Sequence, residues 1–159
     1  MKPLELAERK QKIVSTNRRA RHDYSINQTI EAGIVLQGTE VKSLRTGKCS
    51  MQDAYAGFAD KNSLELFIYN LHIEEYDFGN RENHKPKRDR KLLLNYREAK
   101  KLKTGVMEKG ITLIPLSVYF SGPFVKIEIG LAKAKKKYDK REATKERETQ
   151  REIQRKYKI

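Results

Sequence analysis

Three side chains could in principle perform general acid–base catalysis: His22, His84 and Glu31. Histidine and glutamate are common general acids and bases, so they raise the possibility of a ribonuclease. The sequence places no motif around them that would hold these groups together. It contains no Ser/His/Asp arrangement, no glycine-rich phosphate loop and no paired-carboxylate motif. We therefore predict a binding protein and not an enzyme.

A second pattern, cations beside aromatic rings, suits RNA binding. Shortly before Tyr24 the chain carries four possible cations, namely Arg18, Arg19, Arg21 and His22. Near the C-terminus, Tyr138 and Asp139 lie within a basic run that consists of Lys133, Lys135, Lys136, Lys137, Lys140 and Arg141. Cations contact phosphates, and aromatic rings stack on unpaired bases. Tyr24 could instead be a buried strand aromatic, and the basic run a solvated tail.

The distribution of charge favours a polyanionic partner. The chain has 35 Lys and Arg against 21 Asp and Glu, which gives a formal net charge of +14. Residues 1–22 contribute +5 and residues 131–159 contribute +7, whereas residues 23–130 contribute only +2. Basic ends on a nearly balanced body suit an extended RNA surface better than a small-molecule pocket.

Composition also excludes several protein classes. No stretch approaches the roughly 20 apolar residues of a membrane-spanning helix, and the N-terminus lacks the apolar region of a signal peptide. Cys49 is the only cysteine, which rules out an intramolecular disulfide and fits a reducing compartment. No His or Cys cluster has metal-ligand spacing. We expect a cytoplasmic protein with no metal, no cofactor and no membrane contact.

The elements that must position these residues begin with a strand and a helix. Alternation over residues 30–36 predicts a half-buried strand with Glu31 on its outer face. A helix of about two turns follows, from an N-cap at Thr39 to a stop at Gly47. Residues 51–59 and 63–70 then predict a pair of strands. Residues 74–91 have almost no aliphatic side chains and predict a long exposed loop, in which His84 is solvated.

A second helix and a hairpin complete the predicted body. Asn95 and Glu98 resemble a capping box at the start of a helix that Gly110 would end. Residues 111–120 and 124–130 predict two strands joined by a tight turn, with Lys126 on the outer face of the second strand. These elements together predict one small mixed β domain, most economically a closed or nearly closed barrel.

The ends of the chain are predicted to differ from this body. Residues 1–16 have no convincing period, so we expect a mobile N-terminal segment. Residues 131–159 have few aliphatic side chains and should be disordered when free. They are rich in helix formers from Ala143 onward, so a partner could order them as a helix. The body therefore spans residues 17–130.

Four blocks in order carry a resemblance to a known family. They are NRRARHDY from Asn17, EAGIVLQGTEVKSLRTGK from Glu31, HKPKRDRKLLLN from His84 and GLAKAKKKYDKR from Gly130. Together they resemble the SsrA-binding protein family, also called small protein B or SmpB. The resemblance covers nearly the whole chain from Asn17.

The resemblance implies a fold and a function. The fold would be mainly β with a few helices: a small antiparallel oligonucleotide-binding (OB-fold) barrel with a disordered basic C-terminal tail. The function would be that of a monomeric adaptor that binds the tRNA-like domain of transfer-messenger RNA. It would deliver that RNA to stalled ribosomes for trans-translation. The tail would enter the small-subunit decoding region and the vacated messenger channel.

The resemblance also implies contact residues. Glu31, Leu93 and Lys126 match RNA-contact positions of the family, and the basic approach to KLLL adds Arg88 and Arg90. The basic run from Lys133 to Arg141 matches the tail motif, whose aromatic position stacks in the decoding region. From residue type alone, Glu31 and Lys126 could be ordinary surface residues and Leu93 a core residue. Two residues depart from the family pattern, Ala134 in place of glycine and Thr149 in place of tryptophan.

Other RNA-binding proteins share this composition. A ribosomal protein or a general RNA chaperone would also place basic ends on a small barrel. Charge and length do not separate these from the adaptor. Only the four ordered blocks favour the adaptor.

Overall fold

Nine strands and four helices are found in the computed structural model, which describes residues 11–135 and 137–157. The strands of these described residues are β1 (Gln11–Thr16), β2 (Tyr24–Ile34), β3 (Cys49–Ser50), β4 (Tyr55–Phe58), β5 (Leu66–Tyr69), β6 (His72–Ile73), β7 (Arg90–Leu93), β8 (Ile111–Ser121) and β9 (Phe124–Ala134). The helices are α1 (Ala20–Asp23), α2 (Gly38–Arg45), α3 (Tyr96–Val106) and α4 (Lys137–Tyr157). A 3₁₀ turn, Asn80–Glu82, precedes β7.

Six antiparallel strands close into a ring in the order β8, β4, β5, β7, β2, β9. The ring closes because β9 pairs with β2 on one side and with β8 on the other. β1 adds to β8 outside this ring, and β3 and β6 form a separate two-stranded sheet. The closed sheet confirms the predicted small antiparallel barrel.

The β8–β9 hairpin shows why the sequence folds this way. Gly122 occupies the turn with φ of 59°, a left-handed conformation that glycine adopts without steric cost. Along β9, Val125, Ile127 and Ile129 are buried in the core, whereas Lys126 alternates with them on the outer face. The predicted alternation is confirmed, and β9 continues beyond residue 130 to Ala134.

A second, smaller core lies on the outer face at one end of the hairpin. Ala132 points outward from β9 but is buried against Ala20 of α1 and against Ile114 and Leu116 of β8. Ile114 and Leu116 lie two residues apart and share the outer face of β8, and the register irregularity between Pro115 and Ser117 then returns Val118 to the barrel core. The outer face of the barrel is therefore covered at the α1 end and open at the turn end.

Two helix starts are specified by side-chain caps. Asn95 accepts a hydrogen bond from the Glu98 backbone N–H at 2.9 Å, as the sequence predicts. For α2 the N-cap is Gln37 and not Thr39, because Glu40 Oε1 accepts a hydrogen bond from the Gln37 backbone N–H and forms a capping box. Thr39 instead bonds His84.

Gly105 explains how closely α3 packs on the barrel. A Cβ atom at this position would lie 2.5 Å from Leu131 Cδ2. The glycine lowers the helix propensity of α3 but allows the helix to approach β9. The helix ends at Val106, before the predicted stop at Gly110, which lies in the following turn with φ of 87°.

Several predicted boundaries are wrong. Residues 11–16 are not a mobile segment, because β1 pairs with β8 and Asn17 N–H donates to the Leu116 carbonyl at 2.7 Å. Residues 51–59 form only the short strand β4, because residues 52–53 make a turn after β3. Residues 1–10, for which mobility was also predicted, lie outside the described residues.

The segment predicted as a long exposed loop is partly buried. His84 is buried between Thr39 Oγ1, at 2.9 Å from Nδ1, and the Ile73 carbonyl, at 2.9 Å from Nε2. This contradicts the expectation that His84 is solvated. The two hydrogen bonds join the loop to α2 and to β6, so the histidine has a structural role.

Candidate nucleic-acid interface

The open part of the outer barrel face brings three predicted RNA contacts together. Gly33 lies directly opposite Leu93 in the β2–β7 pair and opposite Lys126 in the β2–β9 pair. Glu31 lies two residues before Gly33, on the same side of β2. We call this set, Glu31, Gly33, Leu93 and Lys126, the Gly33 patch. It spans three neighbouring strands.

Leu93 is a surface residue and not a core residue. Its neighbour Leu92 is buried, whereas Leu93 is 54% exposed, as strand alternation requires. A Cβ atom on Gly33 would lie 3.4 Å from Leu93 Cβ. Such a Cβ atom would make an ordinary van der Waals contact with the leucine side chain.

Glu31 of β2 is held in place by a residue of β8. The Tyr119 hydroxyl donates a hydrogen bond to Glu31 Oε2, although the two residues are separated by β9. Tyr119 lies opposite Lys126 in the β8–β9 register, so its ring lies beside the patch. Tyr119 is 7% exposed, while Glu31 is exposed. The buried hydroxyl thus fixes the orientation of an exposed carboxylate.

Electrostatics keep the Tyr119 hydroxyl protonated. Burial raises the pKa of Tyr119, and its hydrogen bond to Glu31 and the charges of Glu31 and Glu128 raise it further. The hydroxyl is therefore a hydrogen-bond donor throughout the physiological pH range.

A second carboxylate faces the same area. Glu128 lies directly opposite Glu31 in the β2–β9 register, and Ser117 Oγ donates to Glu128 Oε2 at 3.3 Å. Like charges at opposed positions repel, so each carboxylate benefits from a neutral hydroxyl donor. The sequence analysis missed Tyr119, Glu128 and Ser117, because only the register across β2, β9 and β8 reveals their positions.

The N-terminal cations form a separate group. Arg18, Arg19 and Arg21 are exposed around α1, while Ala20 is buried beneath them. Asn17 fixes this segment, since its Nδ2 donates to the Pro115 carbonyl at 3.0 Å. From Tyr24 to Glu31 the strand extends about 23 Å at 3.3 Å per residue. The N-terminal group and the Gly33 patch thus lie at different ends of β2.

Tyr24 is half-buried rather than a free stacking ring. It packs against the small core under α1 and contributes to a cleft with Tyr55 and Ile114. The expectation of a buried strand aromatic is therefore partly met.

The start of the tail meets the N-terminal group. Lys135 donates through its backbone N–H to the Asp23 carbonyl at 2.9 Å and through Nζ to the Arg21 carbonyl at 3.0 Å. His22 Nε2 lies 3.2 Å from Thr144 Oγ1 of α4, and His22 Nδ1 lies 3.0 Å from Asp23 Oδ1. The cations around α1 and the described start of the tail therefore lie on one side of the molecule.

The tail motif itself is described only in part. Lys133 lies in β9 and is exposed, and Arg141 is exposed on α4. Lys136 lies outside the described residues, and so do the side chains of Lys137, Tyr138, Asp139 and Lys140. Thr149 Oγ1 donates to the Lys145 carbonyl at 2.9 Å, so this hydroxyl contacts its own helix.

Arg90 does not reach the surface, contrary to the prediction that it contacts RNA. It is fully buried, and its Nε donates to Glu40 Oε2 while Nη1 donates to the Leu71 carbonyl at 2.6 Å. Arg88 is partly exposed, but its Nη2 donates to Glu40 Oε1 at 2.6 Å. Arg88 therefore joins the loop before β7 to α2, and Arg90 joins the first residue of β7 to the same helix.

Glu40 is charged inside this network. Burial raises its pKa, but hydrogen bonds from the Gln37 backbone and from Arg88 and Arg90 outweigh burial, so the pKa of Glu40 lies below its ordinary value. A sequence gives no sign of this pairing, because Glu40 and the arginines are about fifty positions apart.

Other chemistry has little support in the described residues. Across residues 11–135 and 137–157, no group of three His, Cys, Asp or Glu side chains could hold a metal ion. Burial raises the pKa of the Cys49 thiol to about 11, which keeps the thiol protonated near neutral pH. No helix in the described part of the chain is long and apolar enough to cross a membrane.

Comparisons with known proteins identify a family. The family model described as SmpB protein matches residues 14–159. An SsrA-binding protein of Acetivibrio thermocellus is 55% identical over 153 residues, covering 96% of this chain and 97% of its own. One from Sphingopyxis alaskensis is 55% identical over 147 residues, covering 92% and 89%.

A solved structure is similar as well. It is described as "tmRNA-SmpB: a journey to the center of the bacterial ribosome", and its chain is 46% identical with a TM-score of 0.65. The match covers 82% of this chain and 93% of that one.

Proposed function

The chain belongs to the SmpB protein family, and from this premise we propose that it is an RNA-binding adaptor for transfer-messenger RNA. It binds the tRNA-like domain of that RNA and delivers it to stalled ribosomes, where trans-translation rescues the ribosome and tags the incomplete chain. The observation that carries the RNA-binding part is the convergence of Leu93 and Lys126 on Gly33 beside Glu31. The chain contributes contacts and no catalysis, and it acts as a cytoplasmic monomer without a cofactor.

The Gly33 patch combines three kinds of contact with RNA. Lys126 provides a cation for a phosphate, and Leu93 provides an apolar surface for a base or a ribose. Glu31 repels phosphate, so its carboxylate accepts hydrogen bonds from a base amino group or a ribose hydroxyl. Because Tyr119 fixes the carboxylate, the patch discriminates between RNA surfaces and does not merely attract them.

The basic ends of the chain have a separate role in binding. Arg18, Arg19 and Arg21 contact phosphates of the same RNA, with His22 and Tyr24 beside them. The tail motif contacts the decoding region and the vacated messenger channel of the small subunit. Arg88, partly exposed beside Glu40, adds at most a peripheral contact.

The tail becomes helical on the ribosome. Almost all described side chains of α4 are exposed, so little packing holds the helix against the barrel. Helices without tertiary packing are only marginally stable in water. In the free chain we therefore expect the segment after Lys135 to be largely disordered.

One experiment tests both parts of this function. RNA bound to the full chain in cells is recovered and sequenced, together with RNA bound to a chain that ends at Lys135. This end point leaves intact both β9 and the hydrogen bond from the Lys135 backbone N–H to the Asp23 carbonyl. A full-length variant with Lys126→Glu tests the patch in parallel.

We expect the full chain and the shortened chain to recover mainly one tRNA-like RNA. The shortened chain should fail to support tagging on stalled ribosomes, whereas Lys126→Glu should lose the RNA itself. Indiscriminate RNA recovery by the full chain would favour an RNA chaperone and contradict the adaptor. Tagging that persists without the tail would contradict the proposed division of roles.

A further inference from the structure

One surface of this basic protein has the opposite charge. Residues 74–83, which we call the acidic aromatic loop, contain four acidic residues and one arginine in a chain of net charge +14. The acidic residues are Glu74, Glu75, Asp77 and Glu82, and all four are exposed. Within the described part of the chain, no ion pair links Glu75 or Glu82 to another residue.

The loop also exposes a large apolar ring. Phe78 is 80% exposed, the highest value among the large hydrophobic residues of the described chain. The Tyr76 ring meets it edge-on at 5.6 Å between centroids, and Lys42 Nζ lies 5.5 Å from the Tyr76 centroid. Beside the rings is a cleft of about 360 Å³, bordered by Thr39, Lys42, Phe78 and Glu82.

The ring is presented by an ordered loop. The Asn83 side chain accepts from the Tyr76 N–H at 3.0 Å and donates to the Tyr76 carbonyl at 2.7 Å. Lys48 pairs with Asp77 at 3.0 Å, and Ser43 Oγ donates to the Glu74 carbonyl. A surface that is already ordered loses little conformational entropy when it binds a partner.

We propose that the acidic aromatic loop docks on a basic protein of the ribosome, with Phe78 inserted in an apolar pocket and the acidic residues facing its Lys and Arg. Charge complementarity argues for protein over RNA, since the carboxylates of Glu75 and Glu82, which have no ion pair in the described part of the chain, would repel phosphates. An exposed aromatic ring within a charged rim is also typical of an interface anchor. The partner rests on the proposed function, because that function brings the chain to the ribosome.

The test places a photo-crosslinker on the ring. The full chain with Phe78→p-benzoylphenylalanine is bound to transfer-messenger RNA and to purified stalled ribosomes, and is then irradiated. A matched variant carries the same group at Phe124, which is half-exposed on the same face of β9 as Lys126. We expect position 78 to crosslink to a basic ribosomal protein and position 124 to crosslink to RNA.

A charge variant tests the acidic rim. Glu75→Lys with Glu82→Lys, introduced into the crosslinking chain, should lower the protein crosslink by roughly fivefold, as expected for reversing two rim charges. Glu98→Lys with Glu108→Lys makes the same change in net charge on and after α3 and should leave the crosslink unchanged. Affinity for the RNA should be the same in both variants.

Each other outcome overturns the inference. Crosslinks from position 78 to RNA alone would identify the ring as a base-stacking site. Absence of a crosslink on ribosomes that the chain has demonstrably reached would show that the loop has no partner there. If the chain with its RNA never reaches the ribosome, the proposed function fails first and the ribosomal partner fails with it.

Discussion

Replacing Tyr119 with Phe removes one hydroxyl from behind the Gly33 patch and leaves the ring in place. The hydroxyl donates to a charged group, and such bonds contribute about 1.5–3 kcal/mol to stability. Glu31 is exposed, so water replaces part of the lost bond. We therefore expect the free energy of unfolding to fall by only about 1 kcal/mol.

The effect on RNA binding should be separate from the effect on stability. Without Tyr119, the Glu31 side chain regains its rotamer freedom and is repelled by Glu128. Ordering one such side chain on binding costs about 0.5–1.5 kcal/mol, so affinity should fall about two- to tenfold. The slope of log affinity against log salt should not change, because no cation has been removed.

Fluorescence anisotropy with the isolated tRNA-like domain, at several salt concentrations, measures both quantities. Tyr69→Phe is the matched control, since Tyr69 lies on the outer face of β5 away from Glu31 and should leave affinity unchanged. Equal affinity of Tyr119→Phe and the unmodified chain, in a titration where Glu31→Gln binds weakly, would refute the positioning role of Tyr119.

Three further predictions follow from other contacts. Glu40→Gln leaves the buried Arg90 unpaired and should destabilise the fold by about 3–5 kcal/mol. Because the pKa of Glu40 is lower in the folded than in the unfolded chain, the contribution of Glu40 to stability is present above about pH 4.5 and is lost as pH falls. Urea unfolding between pH 3 and 7 should show this loss of stability only in the unmodified chain. Gly105→Ala gains about 1 kcal/mol of helix propensity but displaces Leu131 at a cost of about 1–3 kcal/mol, so thermal unfolding should show a neutral to lower stability and never a gain. Residues 141–157 of the free chain should have near-random-coil NMR shifts, and strongly helical shifts without ribosomes would contradict the proposed ordering of the tail.

How far the sequence predicts this structure depends on the distance between interacting residues. The β8–β9 hairpin and the Asn95 cap involve neighbours along the chain, and the sequence predicts both. The outward position of Lys126 follows from the same local alternation. These features needed no knowledge of the tertiary fold.

Features that depend on distant partners were not predicted. Arg90 has the residue type of an RNA contact, but in the structure it is buried in an ion pair with Glu40 of α2. Residues 11–16 have no strand-like alternation of apolar residues. They form a strand because they pair with β8. The dependence of Glu31 on Tyr119 could not be predicted either, because it requires the register of three strands.

The closure of the ring has a consequence for how the protein is made. β8 pairs with β1, β4 and β9. β1 therefore stays unpaired until β8, about one hundred residues later in the chain, has been synthesised. Such non-local pairing slows folding, and it cannot begin on a growing chain until β8 has left the exit tunnel. A nascent chain that stops before the β8–β9 hairpin is complete keeps open strand edges and an exposed core. Interrupted synthesis of this protein would therefore yield an unfolded fragment.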